Sequence, residues 1–325
     1  MKVSMQKVAE YCGVSIGTVD RVIHKRPGVN QETKIRVEKA IKALNYTTNH
    51  IAKSLSNGTT KSIGIILYNL RNMFFAELSD ALVSRSHELG YFPYLTLSEQ
   101  NPNQEFCCIK EMIARQIDGL IFFSTNRDPS IRDYLSSCGI PVVTIMTRLD
   151  GFPSVGIDDF AAVRDATNYI ISKDYKRIIY ISPPLSYKEQ MNISTQEERL
   201  EGFIKAVESE NIDYSIIDSS NYLDYISTIN LVEIKTAFLC SSDIYAIRIM
   251  SRLRLKGLQT PYHYGIMGFD NIRMLEYIDP MISTVHVPIA EIGVSAVDSL
   301  IRGISIGTVE SVVWPHSIIA RQSIV

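Results

Sequence analysis

Residues 8–22 read VAEYCGVSIGTVDRV, and this stretch decides how the N-terminal part of the chain folds. Around its start, four apolar residues recur at the spacing of one helical face: Met5, Val8, Ala9 and Cys12. Gly13 and Val14 then predict a tight turn, with Ser15 placed to cap a second helix. On that second helix, the apolar side is formed by Val19, Val22 and Ile23. Two short helices joined by a three-residue turn form a helix-turn-helix unit.

A third apolar stripe completes this unit. It follows Asn30, a candidate helix cap, and comprises Val37, Ala40, Ile41 and Leu44. Three short helices in this order predict a small all-α head whose second helix enters the major groove of double-stranded DNA. The face of that helix opposite its apolar side carries Gly17, Asp20, Arg21 and His24, with Ile16 at its edge.

Charge is distributed unevenly along the 325 residues. Residues 1–60 carry a net charge of +6 and the remainder a net charge of −8. A basic head on an acidic body indicates that only the head meets a polyanion. An ordinary solvated basic face would give the same composition, so charge supports the DNA-binding interpretation without deciding it.

From Ser62 onward, short runs rich in Val, Ile and Leu alternate with amphipathic stretches. The first set of strand-like runs is Ile63–Leu67, Phe92–Leu97, Gly119–Phe123 and Val142–Ile145. A second set, after Asp158, is Ile178–Ile181, Ala237–Cys240 and Gly265–Gly268. Alternating strands and helices predict parallel sheets covered on two faces, and two sets predict two doubly wound α/β lobes. A ligand site is expected in the cleft beyond the strand ends.

Several classes of protein lack their usual signals here. Met1–Lys7 has no apolar segment of a secretory signal, and no apolar run approaches the ~18 residues of a membrane helix, so we expect a cytoplasmic protein without membrane contact. The five cysteines lack metal-ligand spacing, so neither a metal nor a disulfide is expected. No glycine is followed two residues later by another, so the dinucleotide fingerprint is absent. We expect no cofactor and no enzymatic activity; an extracytoplasmic binding protein is the other alternative.

Residues 8–22 resemble the head of the LacI/GalR (lactose-repressor/galactose-repressor) family. So do Leu44–Tyr46 and Asn49–Leu55, and the resemblance continues to Arg321–Ser323. It implies a transcription regulator with a helix-turn-helix head and a core like that of periplasmic binding proteins. In such a core the chain crosses between the lobes three times, after Asp158, near Pro288 and near the C-terminus.

The resemblance also assigns roles in the head. It implies base contacts for Ile16, Gly17 and Arg21, and phosphate contacts for Ser15 and Thr18. An arginine can donate two hydrogen bonds to guanine, whereas a glycine offers only its backbone. Ile16 could instead pack at the edge of the core, and Arg21 could be an ordinary surface arginine. Asp20 departs from the small residue usual in the family, and its role stays open.

A short hinge is implied between the head and the core. Asn49 to Asn57 would form a helix of about two turns, marginal by itself because helix nucleation is costly. In the family this helix orders when two copies pair over the minor groove, where Leu55 would wedge into a base step. A linker leucine packed on the core is the alternative for Leu55; Asn49 is the first hinge residue expected at the DNA.

Five residues match effector-binding positions of the family: Phe74, Phe75, Asp158, Arg199 and Asp270. An aromatic face with an Arg–Asp pair suits a sugar, whose hydroxyls need donors and acceptors. Each residue has a structural alternative. The phenylalanines could begin a core stripe, Asp158 could cap a helix, Arg199 could form a salt bridge, and Asp270 could shape a turn.

The sequence therefore predicts a repressor whose affinity for a palindromic operator is changed by a small polar effector. The expected domains are residues 1–48 (head), 49–61 (hinge helix and linker) and 62–325 (core). Within the core, the first lobe is expected at about 62–159 and 289–316, and the second at about 160–286 and 317–325. The chain shows no heptad tail, so a homodimer is expected.

Overall fold

A computed structural model of the chain describes residues 3–46, 58–189, 191–231 and 233–325. The chain divides into two compact units, one ending at Thr60 and one beginning at Lys61. Each unit is described by itself below. Within the described ranges, every helix is too short or too polar to cross a membrane.

The head consists of helices α1 (Met5–Cys12), α2 (Ile16–Ile23) and α3 (Gln31–Ala43). The predicted caps Ser15 and Asn30 are confirmed, and Ser4 caps α1 in the same way: each side chain accepts a hydrogen bond from the backbone N–H three residues later. Gly13 ends α1 in the left-handed conformation, with φ of 63°, where glycine pays no steric cost. Of the eleven predicted apolar residues, four are only partly buried and seven form the buried centre: Val8, Ala9, Cys12, Val19, Val22, Val37 and Ala40.

The second unit alternates strands and helices, as predicted. Its first elements are β1 (Ser62–Leu67), α4 (Met73–Glu88), β2 (Phe92–Leu97), α5 (Pro102–Ala114), β3 (Gly119–Phe122), α6 (Pro129–Ser137), β4 (Val142–Ile145), β5 (Ser154–Ile157), α7 (Asp159–Ile171) and β6 (Arg177–Ile181). The remaining ones are α8 (Ser194–Ser209), β7 (Asp213–Ile217), α9 (Tyr222–Ile226), β8 (Thr236–Cys240), α10 (Asp243–Arg254), β9 (Gly265–Asp270), β10 (Ser283–His286), α11 (Ile289–Ile306), β11 (Val312–Trp314) and β12 (Ser317–Ile319). Short 3-10 turns lie at Leu185–Glu189 and Arg273–Tyr277.

Two six-stranded sheets organise these elements into two lobes. The first sheet has the order β11-β5-β4-β3-β1-β2 and the second the order β12-β10-β9-β8-β6-β7. The central strands are buried along their whole length, which explains their continuous apolar sequences. The chain passes between the sheets after β5, after β10 and between β11 and β12.

One strand departs from the expected parallel arrangement. β12 pairs antiparallel with β10, with Val285 opposite Ile318. The reason lies in the connection. β11 runs parallel to β5, so its carboxyl end reaches the cleft, and β12 begins three residues later. It therefore enters the second sheet from the cleft and runs away from it, opposite to its neighbour.

Helices α7 and α8 approach each other closely at Gly202, on the surface of the second sheet. A Cβ at Gly202 would lie 2.2 Å from the carbonyl oxygen of Phe160 and 3.2 Å from the backbone nitrogen of Arg164. Both are backbone atoms, so neither can turn aside. Any larger residue at position 202 must push α8 away from α7.

We therefore expect Gly202→Ala to lower the free energy of unfolding by about 1–3 kcal/mol or more, as overpacked cores do. Urea denaturation followed by circular dichroism measures this. Lys205→Ala, on the exposed face of the same helix, is the control and should change stability by less than about 0.5 kcal/mol. Equal stability of the Gly202→Ala variant and the wild type would show that the helices have room to separate.

Candidate functional site

The exposed face of α2 presents the predicted DNA-contacting residues together. Ser15, Ile16, Gly17 and Arg21 are exposed, and Thr18 is partly exposed. The side-chain hydroxyls of Ser15 and Thr18 lie 2.9 Å apart at the first turn of the helix. Ile16 leaves 48% of its surface exposed and does not belong to the apolar centre of the head, so the alternative of a core residue is not supported. The predicted contacts Asn49 and Leu55 lie outside the described residues.

Asp20, whose role the sequence left open, contacts two neighbouring side chains of the head, His24 and Arg26. Its carboxylate lies 3.0 Å from His24 Nδ1 and 3.3 Å from a terminal nitrogen of Arg26. Arg26 therefore compensates the negative charge of Asp20. This arrangement explains how a carboxylate is accommodated on a helix face that is otherwise polar or basic.

A cavity of ≈ 520 Å³ lies between the two lobes of the second unit, at the carboxyl ends of the strands. The first lobe gives it an aromatic wall. Tyr68, at the end of β1, stacks on Phe75 with ring centroids 5.5 Å apart, and Phe123, after β3, meets Phe75 edge-on at 5.1 Å. Phe74 also lines the cavity. The first two turns of α4 thus contribute two predicted residues to the cavity, although both are largely buried.

Arg199, on α8, is the buried cation of the opposite wall. Its Nε donates to Asp159 Oδ1 at 2.7 Å, its Nη1 donates to the Ser241 carbonyl at 2.6 Å, and the guanidinium lies 3.7 Å from the centre of the Phe269 ring. Burial opposes the charge, but Asp159 and Asp270 outweigh it and hold the pKa of Arg199 above its ordinary value. Within the described parts of the chain, Nη2 makes no hydrogen bond. That nitrogen can donate to a ligand.

Asp270 ends β9 beside Arg199. Ser242 donates its hydroxyl to one carboxylate oxygen of Asp270 at 3.1 Å. Burial raises the pKa of Asp270 well above its ordinary value, and the nearby Asp243 adds to that effect while Arg199 opposes it. The backbone of Asp270 has φ of 111°, a strained value for a residue with a side chain. The fold thus holds the Asp270 carboxyl group at the cavity although its burial and its backbone conformation are both unfavourable.

The structure does not bring Asp158 to the cavity. Its carboxylate caps α7 by accepting a hydrogen bond from Ala161 N at 2.9 Å, which is the helix-capping alternative. The neighbouring Asp159 contacts Arg199 instead. A step of one residue turns the side chain by about 100° on a helix, so only one of two adjacent carboxylates can point inward. The structure therefore favours the helix-capping alternative for Asp158, and its assignment to effector binding stays a prediction.

Thr195 is a cavity residue that the sequence reasoning missed. It lines the cavity, is 5% exposed, and its hydroxyl has no hydrogen-bond partner among the described residues. A buried hydroxyl without a partner is unfavourable, so its presence at a cavity wall points to a ligand. Thr195 precedes Arg199 by four residues, and this spacing on one helical face is the signal that could have found it. The aromatic residues Tyr187 and Tyr245 were also missed.

A head with a helix-turn-helix motif and a two-lobed core with an interlobe cavity define a ligand-responsive class of DNA-binding regulators. The model of the bacterial regulatory proteins of the lacI family matches residues 4–49, and the model of the periplasmic binding protein-like domain matches residues 167–324. Catabolite control protein A of Priestia megaterium is 30% identical over 336 residues, covering 99% of each chain. The chain belongs to the lacI family and is a DNA-binding transcription regulator.

Solved structures agree with this fold. The lac repressor dimer bound to operator and the anti-inducer ONPF superimposes with a TM-score of 0.86 at 22% identity, covering 99% of each chain. The complex of the transcriptional regulator CelR with cellobiose gives a TM-score of 0.67 at 23% identity, covering 99% of this chain and 100% of that one. ONPF and cellobiose are ligands of those two proteins.

Behind the cavity, Glu105 holds one of its lining residues in place. This carboxyl group on α5 is fully buried and accepts hydrogen bonds from the backbone nitrogen and the hydroxyl of Thr125, each at 2.6 Å. Burial raises the pKa of Glu105 to about 7, and the hydrogen bonds from Thr125 offset only part of the increase. The folded chain therefore favours the protonated acid over the carboxylate.

This shift makes stability depend on pH. A carboxyl group with a raised pKa stabilises the fold fully below its ordinary pKa, and the contribution is lost as pH rises through the folded value near 7. Glu105→Gln keeps an acceptor for Thr125 but does not titrate. Between pH 5 and pH 8 we expect the wild type to lose about 1–3 kcal/mol more stability than the variant.

Urea denaturation at pH 5, 6, 7 and 8 measures this difference. Glu111→Gln, an exposed position on the same helix, should follow the wild-type profile. If the free energies of unfolding of Glu105→Gln and of the wild type change with pH in the same way, Glu105 is ionised throughout this range.

Proposed function

We propose that the chain is a dimeric, cytoplasmic repressor whose affinity for a palindromic operator is set by a small effector, a sugar or sugar derivative, held between the two lobes. We assign DNA reading to residues 1–48, coupling to the hinge segment 49–61 and effector binding to 62–325. A two-fold dimer suits a palindromic site, because each head meets an equivalent half-site. The relative solved as a dimer on operator DNA supports this part of the proposal. We infer no catalytic role for the cavity.

Exposure and chemistry support the DNA-contacting residues of the head. The exposed guanidinium of Arg21 can donate two hydrogen bonds to O6 and N7 of a guanine. Ile16 offers apolar surface to a thymine methyl group, and the small Gly17 beside it lets the backbone approach a base edge. Ser15 and Thr18, at the N-terminal end of α2, are placed to donate to a phosphate, where the helix dipole also favours an anion.

Arg21→Ala tests base reading. The expected cost is about 1–3 kcal/mol on the preferred operator, with relaxed preference at one base pair per half-site. Selection of duplexes from a randomised library by the full-length protein supplies the operator, and fluorescence anisotropy measures the affinities. Lys39→Ala, on α3, removes the same charge and should leave base preference intact. If Arg21→Ala weakens all sequences equally, Arg21 contacts only the backbone.

The cavity lining combines hydrogen-bonding groups with aromatic surface, and this observation carries the effector assignment. On the second lobe, Arg199, the Thr195 hydroxyl and the Asp270 carboxyl supply donors and acceptors to the cavity wall. The aromatic wall of Tyr68, Phe75 and Phe123 faces the same space from the first lobe. A ring with hydroxyls on its rim and apolar faces matches this combination of groups. The relative solved with cellobiose supports a sugar as the ligand class.

Thr195→Val tests the site without disturbing the fold. The substitution removes only the hydroxyl, which has no partner within the described protein, so stability should stay equal to the wild type or rise slightly. Affinity for the effector should fall by about tenfold, since one hydrogen bond of about 1–1.5 kcal/mol is lost. A thermal-shift panel of sugars, sugar acids, sugar phosphates and nucleobases finds the effector, and calorimetry compares the variants.

The matched control is Thr167→Val. Thr167 is fully buried on α7 but outside the cavity, and its hydroxyl bonds the Val163 carbonyl. This variant should lose stability and keep effector affinity. A Thr195→Val protein that binds the effector as tightly as the wild type would remove Thr195 from the site. A panel without any sugar-class hit would overturn the sugar assignment.

A further inference from the structure

Polar contacts join the two lobes along one side of the cavity. Arg127, in the loop between β3 and α6, donates to the Lys188 carbonyl at 2.6 Å and forms an ion pair with Glu197 at 2.9 Å. Arg148, in the loop between β4 and β5, forms an ion pair with Glu198 at 3.3 Å. Two arginines of the first lobe thus face two adjacent carboxylates at the start of α8.

Backbone contacts reinforce these ion pairs. The backbone nitrogen of Asn192 donates to the Thr125 carbonyl at 2.9 Å, and its side-chain nitrogen donates to the Arg148 carbonyl at 3.0 Å. Thr125 is the residue fixed by the buried Glu105. The first-lobe side of this contact region is therefore anchored in the interior of its own lobe.

The same helix carries residues of the cavity. Thr195, Gln196 and Arg199 line the cavity, while Glu197 and Glu198, between them in sequence, face the first lobe. An α-helix is stiff over so short a distance, so these two sets of side chains move together. Any motion of α8 that breaks the ion pairs also shifts Thr195, Gln196 and Arg199 in the cavity wall.

We propose that Arg127 and Arg148 are positioning residues that latch α8 to the first lobe and so hold the lobes closed over the cavity. These ion pairs are partly exposed, with 44% of the Arg127 and 59% of the Arg148 side chain accessible, so each contributes modestly. Modest contributions suit a latch that has to open. A contact from Arg273 N to Glu77 at 2.9 Å also joins the lobes, so loss of the latch loosens them without separating them. The role of this closure for an effector rests on the proposed function, whereas the latch itself does not.

The distance between the lobes tests the latch in the full-length protein without any ligand. One spin label is attached to the exposed Cys107 of the first lobe and another to a Glu208→Cys variant on α8, with Cys138→Ser as background. Excess unlabelled Cys107→Ser/Cys138→Ser protein is mixed in, so that a labelled chain of a dimer pairs with an unlabelled one. The measured distance is then the one between the two labels of a single chain. Pulsed electron resonance then gives the distance distribution.

We expect one narrow distance for the unmodified latch. Arg127→Glu with Arg148→Glu should add a longer distance, with the ratio of open to closed chains rising about two- to fivefold for each pair lost. Adding Glu197→Arg and Glu198→Arg should restore the narrow distance, because the charges again match. Raising the salt to 1 M should broaden the distance distribution of the unmodified protein, since the Debye length is then about 3 Å and the ion pairs are weakened.

Arg132→Glu is the matched control. Arg132 has a similar exposure, 46%, and pairs with Asp133 inside α6, so its reversal should leave the distance unchanged. The latch is overturned if the double reversal keeps the narrow distance, or if the fourfold exchange fails to restore it. These outcomes do not depend on the effector. Failure of the sugar panel would leave the latch intact, and failure of the latch would leave the Thr195 experiment valid.

Discussion

The buried charge of Arg199 is the constraint around which the interlobe cavity is organised. An isolated guanidinium inside a lobe would cost several kcal/mol in lost hydration, so the chain has to supply compensation from several elements. Asp159 at the start of α7 provides the charge, the carbonyl of Ser241 after β8 provides an acceptor, and the ring of Phe269 in β9 covers one face. These partners fix the guanidinium from three directions. The nitrogen left over is therefore presented to the cavity in one defined orientation.

Asp270 shows that this arrangement is built at some cost. A carboxyl group with a raised pKa and a residue with φ of 111° are each unfavourable, and they coincide at the cavity rim. The fold tolerates them because β9 is a central strand, buried along its length and paired on both sides. Stability from the sheet thus offsets local strain. Such strain is typical of groups that have to be ready for a ligand before it arrives.

Most of the fold could be read from hydrophobic periodicity. The strands at Phe92–Leu97 and Val142–Ile145 have the predicted bounds. Five strands were not predicted, and each is only three to five residues long: β5, β7, β10, β11 and β12. β5 is four residues long and contains a glycine, and β7 lies at the sheet edge with its first half exposed, so neither shows a buried apolar run. The direction of β12 follows from a crossing between sheets, which no local pattern encodes.

The residues that line the cavity were harder to predict from the sequence than the fold. Phe74, Phe75, Arg199 and Asp270 line the cavity, whereas Asp158 caps α7 and the neighbouring Asp159 contacts Arg199. Sequence shows two adjacent carboxylates at a helix start, and nothing local decides which one caps the helix. Thr195 lies four residues before Arg199, but the burial of its hydroxyl, which makes it a candidate ligand contact, cannot be read from the sequence. Contacts between distant segments, such as those of Arg127 and Arg148 with α8, have no local signature at all.

Helix α8 has three structural roles within a few residues. At Gly202 it approaches the backbone of α7 too closely for any side chain. At Thr195 and Arg199 it lines the cavity, and at Glu197 and Glu198 it contacts the first lobe. Close packing at Gly202 ties the helix to its own lobe, so α8 cannot adjust to the first lobe by itself. A change in the ion pairs must therefore move the second lobe as a body, and this rigidity lets contacts at one end of a helix set the angle between two lobes.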